Sequence, residues 1–74
     1  MVDYQDVRYV TRPGRYKGVR FEVVLIIGGD HGVQIDRVSA DGFPQIRYYQ
    51  GVDFPTSDQA FAAAEQLAAN VIDS

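Results

Sequence analysis

Hydrophobic and polar positions alternate with period two over residues 16–27, and the last twenty residues change to the spacing of a helix. In the first pattern Val19, Phe21, Val23, Leu25 and Ile27 share one face of a strand. The other face carries Gly18, Arg20 and Glu22, then Val24 and Ile26. The strand therefore starts half-buried and ends apolar on both sides. A shorter alternation predicts a strand over 33–39, with Val33 and Ile35 towards the core. A third runs over 45–52, where Ile46, Tyr48, Gln50 and Val52 alternate with Arg47, Tyr49 and Gly51. Residues 6–11 alternate weakly. They read as a fourth, edge strand in preference to a frayed arm, set apart from the rest by Pro13-Gly14.

The connections are short. Gly28-Gly29-Asp30-His31-Gly32 and Asp41-Gly42-Phe43-Pro44 read as turns, so consecutive strands should form an antiparallel meander. The helix is expected over 56–73. Thr56 is a good N-cap, Gln59 three residues on completes a capping box, and Asp58 suits the positive end of the dipole. Ala60, Phe61, Ala64, Leu67, Ala68, Val71 and Ile72 form one stripe. Its many alanines allow close approach to a sheet, with Phe61, Leu67 and Ile72 as expected anchors. The stripe should meet Val19, Phe21, Val23, Leu25, Val33 and Ile35, with Ile46 and Tyr48 beside them.

The predicted fold class is α+β: a three- or four-stranded antiparallel meander with one C-terminal helix on one face. Seventy-four residues make a single domain, 1–74. Residues 1–15 form an arm or edge strand, 16–52 the meander and 56–73 the helix. A chain this short has roughly 3–5 kcal/mol of stability from its core.

The net charge of −3 hides an asymmetry: residues 1–20 carry +3 and the remainder −6. Arg8, Arg12, Arg15, Lys17 and Arg20 are thus candidate nucleic-acid contacts, although five cations in the company of Asp3 and Asp6 read first as a solvated strand face. The chain has no cysteine, which excludes disulfides and thiolate metal sites and fits a reducing compartment. Residues 1–6 are acidic rather than apolar, and the longest apolar run, 23–27, is far short of the roughly 20 residues that span a bilayer. A cytoplasmic location is expected.

Candidate chemistry is sparse. The glycines of 28–32 lead into a strand rather than a helix, so they do not form a phosphate loop. His31 lacks a nucleophile and an orienting carboxylate at a telling spacing. Asp30, Asp36 and Asp41 do not match a calcium loop, and Glu22 and Glu65 lie on different elements. No catalytic residue, metal ligand or cofactor is expected. Tyr4, Tyr9, Tyr16, Tyr48 and Tyr49 suit a partner interface first, plain sheet surface second, and base stacking third.

Tyr16-Lys17-Gly18 opening a strand, and Phe54-Pro55-Thr56-Ser57-Asp58-Gln59-Ala60 opening a helix that closes on Val71-Ile72-Asp73, resemble small bacterial proteins with a β-β-β-α layout. The resemblance covers 16–73 and implies the fold alone, because those proteins have no function to carry over. The element order is also similar to the C-terminal part of double-stranded-RNA-binding domains. Such domains place lysines at the start of the last helix, and here no Lys or Arg occurs from Gln59 to Ser74.

The functional expectation rests on the sheet face away from the helix. One helix covers one face, so Val24 and Ile26 need other cover, with Val38 and Tyr49 expected beside them. These four are the candidate interface of a non-enzymatic protein-interaction module that self-associates as a homodimer or meets another protein. The alternative is a weak nucleic-acid binder using the basic segment and the sheet tyrosines.

Overall fold

The computed structural model describes residues 8–28, 32–47 and 53–74. Four strands and one helix follow one another: β1 (Arg8–Tyr16), β2 (Val19–Ile27), β3 (Val33–Ala40), β4 (Ile46–Arg47) and α1 (Ser57–Asp73). The strands lie in chain order in one antiparallel sheet, and α1 packs on one of its faces. This is the α+β arrangement expected from the pattern of the chain.

The first hairpin turns at a different place from the one the sequence suggests. Lys17 and Gly18 have φ of 51° and 80°, the paired positive values of a type I′ two-residue turn. Residues 8–16 therefore pair continuously with 19–27, from Tyr16↔Val19 to Arg8↔Ile27. Pro13-Gly14, read above as a separator, sits inside the strand, and each residue is tolerated for its own reason. The turn makes Tyr16–Val19 a hydrogen-bonded pair. Such pairs alternate, so Pro13 opposite Glu22 has its nitrogen pointing away from β2, off the sheet edge. Gly14 lies opposite Phe21, and a Cβ there would collide with the Phe21 ring.

A second departure lies between β2 and β3. The register runs Phe21↔Ala40, Val23↔Val38, Val24↔Arg37, then Leu25↔Ile35 and Ile27↔Val33, skipping Asp36. One extra residue on β3 is a β-bulge. It flips the alternation, so Val33 and Ile35 on one side of it and Val38 and Ala40 on the other all face α1. Asp36 and Arg37 are left together on the opposite face. Their ion pair of 2.8 Å between chain neighbours reflects this, since neighbours in a regular strand point to opposite faces.

The core on the helix side is Phe21, Val23, Leu25, Val33, Ile35, Val38 and Ala40 against Ala60, Ala64 and Ala68. The three alanines are wholly buried, and Leu25, Val23 and Val38 are the largest fully enclosed side chains. Phe61, Leu67 and Ile72, expected as anchors, flank this contact partly exposed. The helix approaches through its smallest side chains, and the larger ones seal the sides. Thr56 caps α1, its Oγ1 accepting from the Gln59 N–H at 3.2 Å, a contact worth about 1 kcal/mol.

β4 is described over Ile46–Arg47, and residues 48–52 of the expected third strand lie outside the described residues. Beyond them Phe54 returns to β3 through two backbone hydrogen bonds with Val33, of 3.0 and 2.7 Å. On the helix side, Phe61 stacks on Phe21 with ring centroids 6.3 Å apart, and the Arg12 guanidinium lies 4.4 Å from the Phe61 centroid while reaching Asp58 at 3.2 Å.

The other end of α1 is held by the first turn. Asp73 accepts from the Tyr16 hydroxyl at 2.7 Å and from the Lys17 ammonium at 2.9 Å. The last turn of α1 contains no cation of its own, so Lys17 supplies the positive charge that this helix end favours. The hydrogen bonds from Lys17 and Tyr16 hold Asp73 below its ordinary carboxylate value. The same bonds to Asp73 raise the pKa values of Tyr16 and Lys17. A depressed carboxylate stabilises the fold fully above its ordinary value, and that stabilisation is lost as pH falls through the depressed one. The raised Tyr16 and Lys17 values stabilise below the ordinary phenol and ammonium values, and the contribution is lost as pH rises through the raised ones. Asp73→Asn should therefore flatten both the acid and the alkaline limbs of a Tm-against-pH curve. Limbs identical to those of the wild type would show that this contact carries no linkage.

Candidate interaction face

The sheet face away from α1 is assembled by the two registers. Directly opposed residues share a face, which places Tyr9, Thr11, Pro13 and Arg15 of β1 with Ile26, Val24, Glu22 and Arg20 of β2. Gln34, Asp36, Arg37 and Ser39 continue it on β3, and Arg47 on β4 stands opposite Arg37. Among the described residues no secondary-structure element covers this face.

Its apolar part differs from the expected set. Val24 is on this face, but its cross-strand partners Thr11 and Arg37 flank it and leave it only 8% exposed. Much of the burial it was expected to seek from a partner is met within the sheet, with the stem of Arg37 able to lie along it. Ile26 is half-buried, and opposite it stands Tyr9, 65% exposed. Among the described residues the uncovered apolar surface is therefore the Tyr9–Ile26 pair. Val38, expected here, lies in the helix-side core at 1% exposure, because the bulge at Asp36 reverses the alternation that put it on the open face. Tyr49 lies outside the described residues, as do Tyr4, Tyr48, Asp30 and His31. Tyr9 was among the tyrosines suited to an interface but not among the four residues expected on this face. The Lys17-Gly18 turn fixes its pairing with Ile26, and lysine at a positive φ gives little warning of that turn.

The basic segment does not act as a unit. Arg12 and Lys17 belong to the helix side, where Asp58 and Asp73 hold them, and Arg8 lies on that side opposite Ile27. Arg15 and Arg20 face the other way, directly opposite one another. They are joined there by Arg37 and Arg47, also directly opposed, which a reading centred on the N-terminal charge misses. Among the described residues, Arg15, Arg20 and Arg47 have no carboxylate within ion-pair distance. Beside Arg20 lies an open recess of about 280 Å3 lined by Phe21, Glu22, Ser39, Ala40 and Asp41.

The arrangement can present a small apolar pair and a set of arginines to a partner. Among the described residues no group of three or more His, Asp or Glu comes together in a way that could hold a metal ion, and no helix is long and apolar enough to cross a membrane. Compared with protein-family models, curated proteins and solved structures, the chain finds no match.

Proposed function

We propose that this protein is a non-enzymatic interaction module that self-associates through the sheet face away from α1. The observation that supports the reading is the exposed Tyr9–Ile26 pair on a face that no described element covers, with arginines further along the same face. Contact surfaces are enriched in aromatic and arginine side chains. The cysteine-free composition supports a cytoplasmic setting as part of the same proposal. Nucleic-acid binding through Arg8, Arg12, Arg15, Lys17 and Arg20 has less support, since Arg12 and Lys17 are engaged by the helix.

Three strands of eight or nine residues at about 4.8 Å spacing present a face of roughly 400 Å2. Two copies would bury roughly 800 Å2 in total, below the standard size of a stable interface. Self-association should accordingly be weak, with a Kd of roughly 100 µM or above. Sedimentation velocity over a concentration series up to about ten times that value should show a monomer–dimer equilibrium. Ile26→Ser combined with Tyr9→Ser should weaken it at least about tenfold, a loss of ~1.4 kcal/mol, while the fold survives. A monomer across the whole series overturns the proposal.

A further inference from the structure

The charge on the open face is arranged in an unusual way. Cross-strand neighbours of opposite sign stabilise a sheet, and like charges directly opposite destabilise it. This chain has seven Lys and Arg in all. Four of them stand on one face as two like-charged pairs, Arg15↔Arg20 and Arg37↔Arg47. The first pair occupies a position where no backbone hydrogen bonds join the two residues, because it adjoins the bonded Tyr16–Val19 pair, and side chains come closest at such positions. The helix-side cations Arg12 and Lys17 answer carboxylates of α1. Among the described residues, only Arg37 on the open face has a carboxylate partner, its own strand neighbour Asp36. A chain with net charge −3 thus keeps a surplus of cations on this face.

We infer that the open sheet face binds compact multivalent oxyanions of the phosphate class through two arginine clamps, Arg15 with Arg20 and Arg37 with Arg47. Two guanidinium groups side by side offer parallel N–H donors that match the oxygens of one tetrahedral anion, in charge-assisted bonds stronger than neutral ones. An anion between them also removes the repulsion of the empty pair. Register places the clamps four residues apart along the strands and two strands apart across them, about 17 Å between centres. One phosphate cannot span that distance, so each clamp takes its own. Glu22 beside Arg20, and Asp36 on Arg37, interrupt the positive surface. They favour discrete dianions over a continuous phosphodiester chain. This inference goes beyond self-association and stands without it, since binding is read at protein concentrations below the monomer–dimer range.

The test is thermal unfolding at neutral pH in phosphate and in chloride of equal ionic strength. Phosphate stabilises many proteins by exclusion from their surface, so the comparison among variants decides. For the wild type, Tm should rise by about 5 °C or more in phosphate. Arg15→Gln/Arg20→Gln and Arg37→Gln/Arg47→Gln should each lose a large part of that rise. In chloride Arg15→Gln/Arg20→Gln should melt about 1–4 °C above the wild type, because a repulsive pair is gone. Arg37→Gln/Arg47→Gln should gain less, since it also loses the Arg37–Asp36 ion pair. Arg8→Gln, on the opposite face, should keep the full rise. Equal Tm values for the wild type in the two salts overturn the inference, as does a rise that persists in both paired variants. Greater stabilisation by a thymidine oligonucleotide than by inorganic phosphate at equal phosphorus overturns the choice of a discrete anion.

Discussion

A chain lacking Asp36 should fail to fold. The deletion removes the bulge, and a regular β3 can then place only one half of its apolar residues towards α1. Either Val33 and Ile35, or Val38 and Ala40, would turn to the open face; all four are at most 8% exposed in the native arrangement. Turning out Val33 and Ile35 costs about 3–6 kcal/mol, and Val38 with the smaller Ala40 about 2–4 kcal/mol, comparable to the roughly 3–5 kcal/mol a domain of this size has from its core. Far-UV circular dichroism and amide NMR dispersion at 25 °C should show an unfolded ensemble. Asp36→Ala is the control. It keeps the extra residue and removes only the partly exposed ion pair with Arg37, a change of about 0–1 kcal/mol. Cooperative unfolding of the deletion variant within about 1 kcal/mol of the wild type would mean that the strand re-registers without loss.

Enlarging the buried alanine stripe should have the next largest effect. Ala64 is wholly enclosed between α1 and the sheet. Leucine there has to push the helix off the sheet or adopt a strained rotamer, at about 1–3 kcal/mol. For a domain of this length that lowers Tm by about 6–19 °C. Ala62→Leu, on the exposed side of the same helix, keeps helix propensity and adds the same bulk in water, so its stability should change by no more than about 0.5 kcal/mol. Similar Tm values for the two variants would show that the interface has room for larger side chains, against the close packing described above.

The comparison between sequence and structure turns on local chemistry. The helix was legible because cap, dipole charge and apolar stripe agree over 56–73. β2 was legible from Val19 on because apolar residues hold every second position to Ile27, while residues 16–18, expected to open that strand, are the end of β1 and the turn. The face of Val38 was not legible, because a period-two reading carries no signal for one inserted residue. Asp36-Arg37, adjacent polar residues between Ile35 and Val38, are the only trace of it. The extent of β1 was hidden by Pro13-Gly14, which ordinarily ends a strand and here lies on an outward edge under an aromatic ring. The candidate face followed from these two points. Val24 was placed on the correct side, Val38 was not, and Tyr9 waited on the turn at Lys17-Gly18. The arginine clamps were invisible from the N-terminal charge run, because alternation sends Arg12 and Arg15 to opposite faces and brings Arg37 and Arg47 from elsewhere in the chain.

Pro13 has a consequence for how molecules of this protein behave when crowded. β1 is a long strand at the border of the sheet, and such a border can template a second chain strand by strand into fibres. Symmetric antiparallel pairing of two β1 borders about their middle would call on Pro13 as a donor, and it has none to give. The row of outward hydrogen-bonding groups is broken at its centre, so growth by strand addition is blocked at the position where it would otherwise begin.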